Sequence, residues 1–386
     1  MPATKNITPY SKVNTPAGLY IHVPFCRSKC AYCDFYSITE TSQVESYLHA
    51  LSREMEHYRE FAPLFNTVYI GGGTPSCLCT RQLADILRHI RKNFVIAPDS
   101  EITVEVNPGD MVETAMIELH DAGFNRVSIG VQSFDDKLLG YLGRRHSGYD
   151  GCVAIEAARK AGFVNVGIDL IYGVPGQPFE LWQQSMETAL GFSPEHLSCY
   201  ELTLEEGTPL HHRIKRGETG LPGEEEAYRY FSMTSDYLEG QGYTHYEVSN
   251  FARRPSLVSR HNHKYWDHTP YLGLGPAAHS FKGTRRWWNH RSLERYARDV
   301  EDRHPPLGGE ENLSPDELRL EALYFGFRTI QGIHGPDFTA RYGMDLLREK
   351  GPALRCLRDE GLVSLEGNFL APTRKGLALA DRLCLL

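Results

Sequence analysis

No stretch of the 386 residues approaches the run of about 18 apolar residues that a membrane-spanning helix requires. Residues 1–16 are polar and carry no apolar core, so they do not read as a secretory leader. Positive charge is in deficit: 41 Lys and Arg against 49 Asp and Glu give a net charge of −8, without the basic stripe expected of a nucleic-acid binder. The nine cysteines are odd in number, and with no export signal they point to a reducing compartment, the cytoplasm. Internal repeats and low-complexity tracts are absent. What remains is ordinary globular material, 41% hydrophobic and 23% charged. The chain is longer than a single core usually supports, so a large domain with a smaller companion is expected.

From residue 18 to 202, short β-rich runs alternate with amphipathic helical stretches. Strands are predicted at 19–23, 67–70, 102–106, 126–131, 165–171 and 196–202, and helices near 43–60, 80–93, 112–122, 149–161 and 179–190. This rhythm argues for βαβ units on a parallel sheet. Six units rather than eight predict a partial (β/α)6 TIM-like barrel, with its site at the C-terminal ends of the strands. The expected organisation is a tail at 1–17, the barrel at 18–202, a loop-rich extension at 203–310 and a small, mainly helical, winged-helix-like domain at 311–386. Within the extension a helix is expected near 223–239 and a β-like run at 243–248. Residues 305–312 read as a linker. Beyond it come a helix at 314–328 with Ser314 as cap and Pro315 at its first position, helices near 336–348 and 352–360, a hairpin turning at Gly367-Asn368, and a closing helix from Pro372.

The strongest chemical signal is Cys26-Arg27-Ser28-Lys29-Cys30-Ala31-Tyr32-Cys33, directly after the first strand. A C-x3-C-x2-C loop offers three thiolates, one fewer than a closed four-ligand site. On a four-iron cluster, three cysteines would leave one iron free for another molecule. Structural zinc would need a fourth ligand, for which Asp34 and His22 are candidates, and three clustered cysteines cannot pair evenly as disulfides. Cys77, Cys79, Cys152, Cys199, Cys356 and Cys384 read as packing residues. Polar or glycine-rich elements close the later strands: Gly71-Gly72-Gly73-Thr74-Pro75, then Glu105-Val106-Asn107-Pro108, then Gly130-Val131-Gln132-Ser133 with Arg144, Arg145 and His146 beyond. Glycines let backbone approach a ligand closely, although a tight turn uses the same residues. Asp169, inside an apolar strand, is costly to bury unpaired and is expected to face a ligand or a cation.

Taken together these motifs resemble the radical S-adenosylmethionine (SAM) proteins, in the branch holding the oxygen-independent coproporphyrinogen III oxidases and the HemW-type heme chaperones. The resemblance runs from Leu19 through the C-terminal module. It implies a 4Fe-4S cluster on Cys26, Cys30 and Cys33, with SAM chelating the open iron and cleavable to methionine and a 5′-deoxyadenosyl radical. It implies SAM contacts from Gly72, Gly73, Thr74 and Glu105, with Tyr20 and Tyr32 beside the cluster. Gln132, Arg144 and Asp169 match positions on the nucleotide side, or at a second SAM in the oxidases.

Two features bear on the branch. The oxidases resemble C-x3-C-x2-C-x-C, and the place of their extra cysteine is Phe35 here; they also carry a longer N-terminal extension. The run His261-Asn262-His263-Lys264-Tyr265-Trp266 matches the H-N-x-x-Y-W signature of the chaperone branch. Histidine and tyrosine are both known heme ligands, so His261, His263, Tyr265 and Trp266 are the expected heme contacts, with the ligating atom left open. The alternative is that His261 and Trp266 pack this segment onto the barrel. The resemblance implies heme delivery to heme-requiring apoproteins, respiratory-chain subunits at the membrane among them, with an electron donor for the cluster. The competing implication is radical decarboxylation of coproporphyrinogen III.

Overall fold

The computed structural model describes residues 15–383; most of the 1–17 tail, and Cys384, lie outside the described residues. Six strands, β1 (Ala17–Val23), β2 (Phe65–Gly72), β3 (Ile96–Val106), β4 (Arg126–Gln132), β5 (Val166–Tyr172) and β6 (His196–Glu201), pair in parallel in chain order. Between them lie α1 (Val44–His57), α2 (Thr80–Asn93), α3 (Glu113–Ala122), α4 (Asp136–Leu142), α5 (Gly148–Lys160) and α6 (Phe179–Gly191). This is the partial (β/α)6 barrel. Successive strand side chains point to opposite faces, and the two faces differ sharply in chemistry. Leu19, Ile21, Val68, Ile70, Val104, Val127, Ile129, Ile168 and Leu197 are fully buried in one core under the helices. α2 supplies Leu83, Ile86, Leu87 and Ile90 to that core at the spacing of one helical face. The alternate residues, among them Tyr69, Glu105, Arg126, Ser128, Asp169 and Ser198, turn inward and make the barrel interior polar.

α4 is not among the predicted helices. Asp135 caps it, accepting from the backbone N–H groups of Lys137 and Leu138 at 3.0 and 2.9 Å. Its C-terminus closes on Gly143 at φ 74°, which leaves the chain directed at Arg144.

The extension is more ordered than its sequence predicts. It contains α7 (Pro209–Lys215), α8 (Glu224–Gly240), β7 (Thr244–Glu247), β8 (Asn250–Ala252), α9 (Arg260–Trp266), β9 (Tyr271–Leu274), β10 (His279–Lys282), β11 (Arg285–Asn289), α10 (Leu293–Glu301) and β12 (Leu307–Asn312). β8 pairs antiparallel with β6, and β9 pairs parallel with β1, so the sheet continues past the barrel on both sides to twelve strands. The segment expected as a linker is β12, antiparallel to β11 from Arg285↔Asn312 to Asn289↔Leu307.

The C-terminal region has its own core around Leu323, Phe327, Phe338, Leu346, Leu354 and Leu370. α11 (Pro315–Gly326) begins with a capping box between Ser314 and Glu317. The helix expected at 336–348 is two, α12 (Gly335–Tyr342) and α13 (Leu346–Glu349), because Gly343 takes a left-handed φ of 68° between them. After α14 (Gly351–Asp359), β14 (Val363–Glu366) and β15 (Phe369–Pro372) form the expected hairpin, to which β13 (Ile333–His334) adds. α15 (Arg374–Leu377) and α16 (Ala380–Leu383) follow. No helix among the described residues is long and apolar enough to cross a membrane.

Candidate functional site

The cysteine loop is anchored at its base and at its tip. Cys26 N–H donates to Ile38 O at 2.9 Å, and Ile38 N–H donates to Pro24 O at 2.7 Å, closing the loop beside the end of β1. Phe25, fully buried, meets the Tyr47 ring edge-on. At the tip, Ala31 N–H donates to Leu142 O on α4 and Leu210 N–H on α7 donates to Ala31 O. The Asp110 side chain, only 1% exposed, holds Arg27 at 3.2 Å and Arg145 at 2.9 Å. The cysteine loop is therefore tied by backbone bonds to α4 and α7, and by side chains to α1 and to the segment after β3.

Arg144 lies against this loop. Its Nη2 donates to Asn107 Oδ1 at 2.6 Å and Gly130 O at 2.7 Å, while Nη1 points at Cys30 Sγ from 3.5 Å. Tyr32 hydrogen-bonds to the same guanidinium. Thr74 Oγ1 donates to Cys26 Sγ at 3.3 Å and accepts from Asn107 Nδ2 at 3.1 Å. Burial raises the Cys33 thiol above its ordinary pKa. Among the described residues no three His, Cys, Asp or Glu side chains converge as a single metal ion would require. A four-iron cube asks for something different: three thiolates on three separate irons, which a loop of this spacing offers. A cation beside Cys30, and a hydroxyl on Cys26, suit sulfur that carries negative charge.

The glycine run also packs tightly against its own protein neighbours. Gly72 adopts φ 112°, and a Cβ there would meet His22 Nδ1 at 2.6 Å. A Cβ on Gly73 would meet Phe25 O at 2.8 Å and Cys26 Sγ at 3.1 Å. The close approach is to β1 at Gly72 and to the cysteine loop at Gly73. Gly71 makes room for Glu105, whose carboxylate carbon would lie 2.9 Å from an added Cβ.

Glu105 accepts from Tyr69 Oη at 2.6 Å and from Gly72 N–H at 3.3 Å. Burial pushes its pKa up to about 7 against the pull of the Tyr69 hydrogen bond. Asp169, also raised chiefly by burial, accepts from Ser128 Oγ at 3.2 Å and from Ser198. Gln132 sits at φ 66°, where β4 loses register with β5, and this turns its side chain out of the alternating pattern. A left-handed non-glycine residue at a strand end is uncommon and often accompanies a site.

One cavity of about 1330 Å³ is lined by Cys26, Cys30, Tyr32, Cys33, Gly72, Gly73, Thr74, Glu105, Gln132, Arg144 and Asp169, and at another part of its wall by Tyr265 and Trp266. Three predicted residues are not on that wall. Tyr20 packs behind it, its hydroxyl 3.0 Å from His22 Nδ1, with the rings of Tyr69 and His261 near by. His261 is 1% exposed: Nδ1 is 2.9 Å from Thr67 Oγ1, Nε2 is 3.0 Å from Tyr265 Oη, and the ring stacks on Tyr69. In this arrangement neither ring nitrogen is open to iron, so the expectation of His261 as a heme ligand gives way to a packing role. His263 lies off the cavity, with Nδ1 unpartnered among the described residues. Sequence reasoning also passed over Arg126 and His196, whose inward position only the register of β4 and β6 reveals.

The segment 261–266 is the helix α9, not a loop. Ser259 caps it locally, and Glu101 of β3 accepts from the backbone N–H groups of Arg260 and His261, both at 3.1 Å. A seven-residue helix is marginal by itself; a carboxylate 160 positions upstream completes its N-terminus.

Residues 20–189 match the Radical SAM superfamily and residues 313–379 the HemN C-terminal domain. The heme chaperone HemW of Mycobacterium tuberculosis is 37% identical over 95% of this chain and 93% of its own. That of Bacillus subtilis is 34% identical over 94% and 96%. The zebrafish (Danio rerio) mitochondrial radical S-adenosyl methionine domain-containing protein 1 is 32% identical over 95% and 85%. The solved coproporphyrinogen III oxidase HemN of Escherichia coli, a radical SAM enzyme, superposes with a TM-score of 0.82 over 98% of this chain and 91% of that one, at 24% identity, and so bears on the fold. With a three-cysteine loop at the mouth of a partial barrel and that degree of likeness along nearly its whole length, the chain belongs to the HemW-type family of the radical SAM superfamily.

Proposed function

We propose that the protein is a heme chaperone, holding heme and passing it to heme-requiring apoproteins, on a scaffold that carries a 4Fe-4S cluster and SAM. The observation that carries this reading is the likeness to the HemW chaperones over 94–95% of the chain. Cys26, Cys30 and Cys33 are the cluster ligands, and the cluster, when bound, supplies an electron to SAM. Gly72, Thr74, Glu105, Gln132, Arg144 and Asp169 form the wall against which SAM would lie. Arg144 fixes Asn107 and Tyr32 and sets a positive charge at Cys30. Glu105 presents a carboxylate oriented by Tyr69, suited to an ammonium group. Gly73 keeps β2 close to the cysteine loop.

Heme contact is assigned to the face of α9 that reaches the cavity, Tyr265 and Trp266, whose aromatic surfaces suit a flat macrocycle. Respiratory-chain subunits are the proposed recipients, reached by a cytoplasmic protein at the membrane surface, and a separate reductant serves the cluster. Coproporphyrinogen oxidation is the weaker reading, because Phe35 stands where the oxidases have a further cysteine, 68% exposed in the cluster loop.

The test is anaerobic reconstitution followed by two incubations, one with heme and then a heme-free acceptor, the other with coproporphyrinogen III, SAM and reductant. A Soret band that transfers to the acceptor, without protoporphyrinogen formation, is the expected result. Turnover of coproporphyrinogen, or no heme uptake, would overturn the assignment.

A further inference from the structure

The cysteines and the SAM-facing residues account for one part of the cavity wall. Another part, between the barrel interior, α9 and the C-terminal region, is lined by buried polar atoms with no evident task. Arg126 is the clearest: 2% exposed, lining the cavity, its Nε without a hydrogen-bond partner among the described residues. The nearby carboxylates are served by other donors: Glu101 by the N–H groups of α9, Glu105 by Tyr69 and Gly72, Asp169 by Ser128 and Ser198. They balance the charge of Arg126 and leave its Nε without an acceptor among the described residues.

Other unpartnered groups line the same cavity. Trp266 Nε1 and Arg328 Nε lack partners among the described residues, and the two side chains are neighbours, with Arg328 Cζ 5.2 Å from the indole centroid. His196, 1% exposed, has Nε2 2.7 Å from Tyr246 Oη. The same oxygen accepts from Ser259 N–H at 3.3 Å. The other ring nitrogen of His196, Nδ1, has no hydrogen-bond partner among the described residues. Buried donors without acceptors are costly, and Arg126, Arg328 and Trp266 outnumber Asn250 Oδ1, an unpartnered acceptor on the same cavity, so the wall calls for a ligand rich in acceptor oxygen.

We propose that this wall binds a propionate carboxylate of the porphyrin, with Arg126 as its principal partner. A guanidinium matches a carboxylate with two parallel hydrogen bonds, and the water-excluded setting strengthens them. The macrocycle would then present one edge to Arg126 and a face to Tyr265 and Trp266. This deepens the heme reading above and rests on it. A second source of the same chemistry is the methionine carboxylate of a SAM molecule, and the experiment separates the two.

Heme and heme dimethyl ester, in which the propionates are blocked, are titrated into the reconstituted protein, and SAM binding is measured by calorimetry. The parent should bind heme about tenfold or more tightly than the ester, the loss expected for buried charge-assisted hydrogen bonds. Arg126→Gln should lose that preference while keeping its affinity for SAM, and Arg126→Lys should recover part of it. Equal binding of heme and ester by the parent refutes the propionate site and leaves the chaperone reading intact; this comparison needs no variant to fold. A parent that takes up no heme removes both. Loss of SAM binding in Arg126→Gln, with the heme preference retained, overturns the assignment in favour of the SAM carboxylate.

Discussion

Replacing His261 with alanine should weaken the fold well before it alters the chemistry. The imidazole bridges Thr67 on β2 to Tyr265 on α9 and stacks on Tyr69 with ring centroids 5.2 Å apart, so its loss has two parts. Thr67 Oγ1, on a residue that is 0% exposed, would be left without its partner, at a cost of about 1–3 kcal/mol. Tyr265 borders the cavity and can turn to water, so its share is smaller. Removing the ring from a packed site adds a cavity term, and the two parts overlap, which places the total at about 3–4 kcal/mol. With an m-value of about 3 kcal/mol/M, the urea midpoint should fall by about 1 M. The acid side adds a second readout. Burial, reinforced by Lys264 and Arg126, lowers the His261 pKa to about 3, against 6.5 in a free histidine. As pH drops below 6.5 the unfolded parent takes up a proton that the folded parent refuses until about pH 3. The parent therefore loses this share of its stability across that window, the alanine variant has no such share to lose, and the gap between them should narrow. Iron content should be unchanged. A variant with an unaltered urea midpoint but no Soret band would refute the reasoning, making His261 the ligand and not the strut.

Cys30→Ala should abolish most of the iron–sulfur absorbance after anaerobic reconstitution, and stoichiometric zinc with no iron in the parent would exclude the cluster. Gly73→Val should lower iron content and SAM binding together, since its side chain runs into Phe25 O and Cys26; calorimetric loss of SAM with full iron content would show that the glycine faces SAM instead. Mass spectrometry of anaerobic incubations should find no protoporphyrinogen or monovinyl intermediate at enzymatic turnover, and detection of either would reverse the preference drawn from Phe35.

The six barrel strands were legible because β-branched runs alternate with helices whose starts and stops are chemically marked. The cysteine loop was legible because its ligands are adjacent in sequence. What escaped detection depends on distant partners. Residues 307–312, Leu-Gly-Gly-Glu-Glu-Asn, have no apolar alternation and become a strand through the ladder offered by β11. Residues 260–266 become a helix because Glu101 caps them from another part of the chain. The glycine run was singled out for close backbone approach, and a further reason for glycine at 73 is visible only when β1 and β2 lie side by side: a side chain there would meet Phe25 and Cys26. Arg126 sits in a stretch that reads as an ordinary strand, and only the register of β4 turns it inward.

The place of β1 in the sheet has a consequence for synthesis on the ribosome. β1 is made before the rest of the barrel, and β2 soon covers one of its edges. The other waits for β9, which completes only at Leu274. At elongation rates of about 5–20 residues per second, the intervening 251 residues (274 − 23) take about 13–50 s to appear. Throughout that interval the nascent barrel carries an apolar strand, Ala-Gly-Leu-Tyr-Ile-His-Val, with one ladder of backbone groups open. An open apolar edge is the feature that recruits other strands. The growing chain is thus most exposed to misassembly before its last parallel strand is made, and a holdase that shields the β1 edge during translation should raise the yield of folded protein more than one supplied after release.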